Sequence, residues 1–157
     1  MKAITHDLFS VGVGFYLVFR VGGPSSYLYL FLVVWLAFAT NAVIDGLGHF
    51  RRQGIVVRSS LTHSVFTAPI WGVAVALTSA YLFDIIADLT ITTTQTLFAV
   101  GLGIVLAYSH LLLDALTEGG VYVGRRRVAF AHARYNNLIL NCAFAFVGIL
   151  LIIAALG

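Results

Sequence analysis

The chain has 157 residues, of which 61% are hydrophobic and only 10% charged, and its mean hydropathy is +1.00. Soluble domains carry roughly 25% charged residues, so the composition excludes an ordinary soluble protein and indicates an integral membrane protein. The single cysteine, Cys142, excludes an intrachain disulfide. The length suits one domain, and we expect residues 1–157 to form a single transmembrane helical domain.

A membrane-spanning helix needs about 20 mostly apolar residues. The sequence offers five such segments, which predict an all-α bundle of about five transmembrane helices. They cover residues 3–21, 27–49, 61–83, 95–116 and 138–155. We expect Pro69 to kink the third helix, a turn at 22–26, a short loop at 84–94, and Gly119 and Gly120 to end the fourth helix.

The N-terminal segment does not have the pattern of a signal peptide. His6 and Asp7 interrupt the region that should be basic, and no small-residue cleavage pattern follows the apolar run. We therefore expect the first segment to be retained.

The order of the helices sorts the polar residues between the two membrane faces. Helices one, three and five begin on the side where helices two and four end. This rule places seven ionisable residues at one face: His6, Asp45, His49, His63, His110, Asp114 and His132. Ionisable groups near the membrane are costly and commonly functional, so their collection at one face predicts a site there.

The basic residues follow the same division. Of the nine Lys and Arg residues, only Arg20 is expected at the opposite face. By the positive-inside rule, this predicts a multi-pass protein of the cell membrane with a cytoplasmic N-terminus and the C-terminus outside. The expected partners are the lipid bilayer and an anionic lipid or phosphoester, whereas nucleic acid is not expected.

Two pairs of residues carry the strongest chemical signal. Asp45 with His49, and His110 with Asp114, are each four residues apart, so each pair lies on one face of a helix. Asn41 extends the first pair into a polar stripe. With His6 and His63 added, the set offers mixed nitrogen and oxygen ligands, which suit zinc, manganese or iron, as one or two ions.

Each of these residues has a simpler interpretation when it is considered alone. A lone His or Asp can cap a helix end or lie among lipid head groups, and this interpretation is favoured for His132. For the set of six, a divalent metal or catalytic site is favoured.

The arginines and Glu118 are the other candidates. Most of the arginines are read as topology determinants, but Arg51 and Arg134 are the candidates to bind phosphate. Glu118 is either a general base, a third carboxylate ligand or a solvated helix end.

Four short motifs resemble a known family. They are T-H-D at the start, D-G-L-G-H-F-R-R in the middle, L-T-H-S before the third helix, and S-H-L-L-L-D-A-L-T-E-G-G-V-Y near the end. In this order, up to about Tyr122, they are similar to the inner-membrane-associated metal-dependent hydrolases described as LexA-binding and to their archaeal relatives of unknown function. The resemblance implies a hydrolytic reaction. It assigns metal ligation to His6, Asp45, His49, His63, His110 and Asp114, although Gly46 and Gly48 stand where bacterial members are richer in acid.

The sequence therefore predicts a membrane-embedded hydrolase that uses zinc or manganese on an ester or phosphoester, such as a lipid, at the cytoplasmic face. Two rivals stay open. One is a structural membrane protein whose polar cluster joins its helices, and the other is a small transporter or metal-ion carrier. The transporter is disfavoured because helices two to five become apolar away from the cytoplasmic face. The apolar surface is also compatible with a homo-oligomer.

Overall fold

The structure, a computed structural model, describes residues 1–20, 27–52, 55–86 and 88–157. Five α-helices and two β-hairpins follow one another in these ranges, which confirms the all-α class. The helices are α1 (Ala3–Arg20), α2 (Tyr27–Gly48), α3 (Ala68–Ile86), α4 (Thr93–Ala115) and α5 (Leu138–Leu156). The strands are β1 (His49–Arg52), β2 (Ile55–Arg58), β3 (Val121–Val123) and β4 (Arg126–Val128). The predicted turn at 22–26 lies outside the described residues.

Four of the helices are long and apolar enough to cross a membrane. They are α3, α4, α5 and the part of α2 from Tyr29 to Gly48. Large apolar side chains such as Phe31, Phe146 and Ile153 are exposed on their outer surfaces. Extensive exposed apolar surface marks a binding or membrane-facing region. The structure is thus that of a membrane protein by the length and composition of its helices.

The bundle consists of two tightly packed helix pairs, which are joined by α2 and by contact between α1 and α4. Helix α1 packs mainly on α5, and α3 mainly on α4, while α2 contacts α1, α3 and α4. Val18, Leu36 and Leu106 are buried in the middle of the bundle. Two smaller apolar clusters, one around Ile44 and Leu111 and the other around Phe9 and Leu113, lie near the end where α2 and α4 terminate. This end carries the polar residues.

Pairs of glycines bring the helix backbones together. A Cβ added to Gly72 of α3 would collide with the carbonyl oxygen of Gly103 of α4, and the reverse substitution would collide in the same way. A Cβ on Gly12 of α1 would collide with the carbonyl oxygen of Gly148 of α5, and a Cβ on Gly148 would collide with the carbonyl oxygen of Leu8 of α1. Apolar side chains gain little from packing on each other rather than on lipid, so close backbone approach at small residues supplies much of the association.

Both hairpins extend the bundle at the polar end, and the sequence had not predicted them. In the first hairpin, β1 pairs antiparallel with β2, which places His49 opposite Arg58. In the second, β3 pairs with β4 and also bridges to the loop before α3 through Ser64 and Tyr122. The backbone N–H of Tyr122 donates to the carbonyl of His63 at 2.7 Å. The second hairpin therefore fixes the loop that carries His63.

The prediction that the third helix begins near residue 61 is wrong. Helix α3 begins at Ala68, because the preceding loop uses its backbone groups for turns and for pairing with β3. Pro69 lies in the first turn of α3. The N–H groups of a first turn have no partner within the helix, so the missing N–H of Pro69 removes no helical hydrogen bond and Pro69 does not kink the helix. At the other end, α3 runs to Ile86 and includes Asp84, which the sequence had placed in a loop.

The glycine contacts generate a stability test. We expect Gly103→Ala to destabilise the protein by about 1–3 kcal/mol, because the new methyl group must push apart two backbones. Gly101→Ala is the matched control: it lies on the same helix, and a Cβ there would meet no described atom within 4 Å. The control should be neutral or stabilising by up to about 1 kcal/mol, as expected from helix propensity. Thermal unfolding in detergent measures both, and equal effects would contradict close packing of α3 on α4.

Candidate metal centre

Four buried or partly buried side chains place one nitrogen or oxygen each around a common point. They belong to Asp45 at the end of α2, His63 in the loop before α3, and His110 and Asp114 on α4. Each residue offers one ligand atom, and the four atoms all lie within 4.8 Å of one another. This group, called the Asp–His cluster below, could hold a metal ion.

The nitrogens and oxygens of the cluster alternate at nearly equal spacings. Nε2 of His63 lies 3.5 Å from Asp45 Oδ1 and 3.4 Å from Asp114 Oδ2. Nε2 of His110 lies 3.4 Å from Asp45 Oδ1 and 3.3 Å from Asp114 Oδ2. Tetrahedrally placed atoms with these spacings would each lie about 2.1 Å from a central cation, within the range of zinc–nitrogen and zinc–oxygen bonds.

Most of the cluster is shielded from solvent. The side chains of His63, His110 and Asp114 are 0% exposed, whereas that of Asp45 is 28% exposed. Within the described residues, His63 Nε2, His110 Nε2 and Asp114 Oδ2 are buried and have no hydrogen-bond partner. Buried polar atoms are nearly always satisfied, so three unsatisfied atoms that face one point indicate a missing polar partner.

The two oxygens of Asp114 have different neighbours. Oδ2 faces the two histidines of the cluster. Oδ1 accepts from Arg58 Nη2 at 2.6 Å, and it lies 3.2 Å from both His6 Nε2 and the amino nitrogen of Met1. One oxygen is thus held in place by cationic and polar groups while the other is directed at the cluster.

Two of the six predicted ligands lie beside the cluster and outside its inner group. The ring of His6 stacks on that of His110 with centroids 4.1 Å apart, and His6 reaches only the outer oxygen of Asp114. The ring of His49 stacks on that of His63, and its Nε2 lies 3.5 Å from Asp45 Oδ1. Both histidines thus contact a ligand and orient it.

His49 and His63, which lie between α2 and α3, are held in the neutral form. Burial lowers the pKa of His63 and of His49 below the ordinary value, so both are neutral at pH 7. A neutral imidazole has a free lone pair, as metal coordination requires. The Thr62 hydroxyl lies 2.9 Å from His63 Nδ1 and sets the orientation of that ring.

Two glycines make room for the residues of this site. A Cβ at Gly48 would collide with the Thr62 hydroxyl and with the ring of His63. A Cβ at Gly119 would collide with the guanidinium of Arg58. Gly48, which stands in the middle motif where bacterial members are richer in acid, therefore provides the space for the ring of His63.

Sequence reasoning missed the importance of Arg58. Its side chain is 11% exposed, and its guanidinium donates to Asp114, to the Thr117 hydroxyl at 3.0 Å and to the Gly120 carbonyl at 3.1 Å. The available signal was Gly54 before the β-branched run 55–57, which indicates a hairpin only weakly. The observed register places Arg58 opposite His49. Without that hairpin, Arg58 looked like any other arginine near a membrane surface.

A cavity of about 560 Å³ lies over Arg58 and His49. Its lining also includes Glu118, Tyr122, Arg127 and Tyr135. Binding pockets for small ligands commonly measure 300–1,000 Å³, so a small ligand fits here beside Arg58 and His49, which contact Asp114 and Asp45 of the cluster.

The predicted phosphate-binding and base residues are distributed unevenly around this cavity. Glu118 is exposed and lines its rim. Arg134 is also exposed, but it is not among the described residues that line the cavity. The backbone of Arg51 is in β1, and its side chain lies outside the described part of the chain. His132 is exposed in the loop before α5 and is not part of the cluster.

Comparisons with known proteins give one match. No curated protein and no solved structure matches the chain, so the resemblance to metal-dependent hydrolases stays a prediction. One family model, described as a protein of unknown function, matches residues 1–113, which include Asp45, His63 and His110 and stop just before Asp114. Because this match covers well over half of the sequence, the chain belongs to the family DUF1286.

Proposed function

We propose that this protein is a membrane-embedded, metal-dependent hydrolase that acts on a phosphoester at the hairpin end of the bundle. The observation that carries the proposal is the spacing in the Asp–His cluster, where imidazole nitrogens and carboxylate oxygens alternate at 3.3–3.5 Å. Such spacing is too long for good hydrogen bonds and fits the edges of a metal coordination sphere.

The chemistry of the ligands favours zinc or manganese. Two imidazoles and two carboxylates form a mixed nitrogen and oxygen set, which suits these ions and iron. The charges of Asp45 and Asp114 offset those of a divalent cation, so the four ligands and one ion together carry no net charge. The inner group has four ligand atoms, which supports one ion and not two.

The most exposed ligand indicates the side from which water and substrate approach. Asp45 is partly exposed, while the other three ligands are fully buried. A bound ion would activate a water and polarise the phosphoryl oxygen. Glu118, at the rim of the neighbouring cavity, would accept the proton of that water.

The cavity supports a substrate with both an anionic and an apolar part. Arg127 is exposed on the lining, whereas the guanidinium of Arg58 is already engaged by Asp114 and Thr117. Arg127 therefore replaces Arg51 and Arg134 as the proposed phosphate-binding residue. Val57 and Tyr135 also line the cavity and are exposed, so they would contact the apolar part of a lipid.

A structural metal centre is the second candidate, and one observation favours it. The cluster already supplies four protein ligand atoms, the number found in structural zinc sites, whereas catalytic zinc sites usually keep one position open. Metal-dependent hydrolysis of a phosphoester by the purified protein separates the two candidates.

Metal binding by the cluster is tested with conservative substitutions. We expect wild-type protein to retain about one ion per chain, and Asp45→Asn and Asp114→Asn to lose it, because the amide keeps the shape but not the anionic ligand. Asp84→Asn, an exposed carboxylate on α3, is the control and should retain the metal. Metal analysis and thermal unfolding with and without chelator provide the readouts. Wild-type protein that is free of metal and melts independently of added zinc or manganese would refute the proposal.

Substrate binding is tested on the strand β4. Tyr122 and Arg127 face each other across the second hairpin and both line the cavity, whereas Arg126 lies on the opposite face of the strand. We expect Arg127→Gln to raise KM for a short-chain phosphoester about tenfold, the effect of losing one charge-assisted hydrogen bond. Arg126→Gln makes the same change in charge and should leave KM unchanged. Equal effects would mean that only the general positive potential matters.

The proposed orientation places the hairpin end of the bundle in the cytoplasm. Eight of the nine Lys and Arg residues belong to this end, and Arg20 belongs to the other. Reporter fusions after Gly157 should therefore report from outside the cell, and reporters inserted after Gly124, in the turn of the second hairpin, from the cytoplasm. A cytoplasmic signal from the fusion after Gly157 would overturn this orientation.

A further inference from the structure

A chain of two hydrogen bonds extends from the Asp–His cluster toward α1. Nδ1 of His110 lies 3.1 Å from Oδ1 of Asn41, and Nδ2 of Asn41 donates to Oδ1 of Asp7 at 2.8 Å. Asn41 and His110 are buried, and Asp7 is partly buried on α1. Three helices thus contribute one residue each to a continuous polar connection.

The carboxylate at the far end fixes the direction of this connection. An ionised carboxylate can only accept hydrogen bonds, so the amide nitrogen of Asn41 must face Asp7. The amide oxygen of Asn41 then faces His110 and needs a donor. Nδ1 of His110 must therefore carry a hydrogen.

A hydrogen on Nδ1 determines what the other nitrogen can do. In neutral imidazole, protonation of Nδ1 leaves a lone pair on Nε2. This Nε2 is buried, points at Asp45 and Asp114, and has no hydrogen-bond partner among the described residues. A lone pair that faces two carboxylates is repelled unless a proton or a metal cation lies between them.

We propose that Asp7 and Asn41 are positioning residues that select the tautomer of His110 able to bind metal through Nε2. The proposal rests on the metal site of the proposed function, but not on hydrolysis. Asp7 acts through Asn41 and does not contact the cluster itself. Groups that hold the second nitrogen of a metal-binding histidine commonly change metal affinity 10–100-fold when they are removed.

The alternative is that the Asp7–Asn41 bond merely joins α1 to α2. A neutral residue at position 7 would link α1 to α2 at a lower free-energy cost, because an ionised carboxylate is costly to bury. Ser10 and Ser109 illustrate the cheaper solution: their hydroxyls are buried and lie 2.8 Å apart between α1 and α4. A carboxylate is needed only if the direction of the hydrogen bond matters.

Removal of the acceptor at Asp7 is the first experiment. In Asp7→Leu the amide of Asn41 is free to rotate and to present its nitrogen to His110, which favours the hydrogen on Nε2. We expect zinc affinity, measured by chelator competition on the full-length protein in detergent, to fall roughly 10–100-fold. The control Ser10→Ala removes another buried hydrogen bond of α1 and should change zinc affinity less than about twofold.

The double variant Asp7→Asn/Asn41→Asp is the rescue. It exchanges the two groups, so the carboxylate at position 41 accepts from His110 Nδ1 and the amide at position 7 donates to that carboxylate. The direction at His110 and the net charge are both preserved, and zinc affinity should return to within about threefold of wild type. If the Asp7–Asn41 hydrogen bond served only to pack α1 on α2, the zinc affinity of the double variant would not be expected to recover.

Imidazole nitrogen NMR shifts of zinc-loaded protein provide the direct readout. Wild type should show His110 bound to zinc through Nε2, with a hydrogen on Nδ1 that exchanges slowly with water because Asn41 accepts it, and Asp7→Leu should lose that slow exchange. Zinc affinity of Asp7→Leu within twofold of wild type, or zinc-loaded wild-type His110 bound through Nδ1, would overturn the proposal. Failure of the proposed function gives different results: wild type without metal removes the metal site, and zinc binding without phosphoester hydrolysis removes the reaction alone.

Discussion

The fully buried carboxylate of Asp114 is the group on which the polar end of the bundle depends. Removing an ionised carboxylate from water costs several kcal/mol, and the cost is offset only when both oxygens find good partners. Arg58 and His6 hold one oxygen, and His63 and His110 face the other. Because these partners come from α1, β2, α4 and the loop before α3, satisfying this one side chain draws four segments together.

Glycines make this convergence sterically feasible. Gly48 leaves room for the ring of His63, and Gly119 leaves room for the guanidinium of Arg58. Gly72 and Gly103 bring α3 against α4, which brings the loop before α3 close to His110. The same device, a missing Cβ, thus sets both the packing of the helices and the distances within the site.

The sequence predicted the helices and the end of the bundle that carries the site, because apolar length and the order of helices determine both. Residue spacing also predicted that His110 and Asp114 lie together, since they share a helix. It could not predict which arginine reaches the carboxylate, because Arg58 is positioned by a short hairpin with a weak turn signal. The loop around His63 was predicted as helix because its apolar residues continue those of α3, and only pairing with β3 distinguishes it.

The hydrogen bond from the backbone N–H of Tyr122 to the carbonyl of His63 has a consequence for biogenesis. Membrane proteins insert from the N-terminus as they are synthesised, so the loop that carries His63 emerges long before β3 does. Until α4 and the second hairpin arrive, Asp45 and His63 have neither Asp114 nor the backbone partner that holds the loop. The four residues of the cluster can therefore come together only after most of the bundle has been inserted. A cation that binds at that stage would stabilise the completed fold.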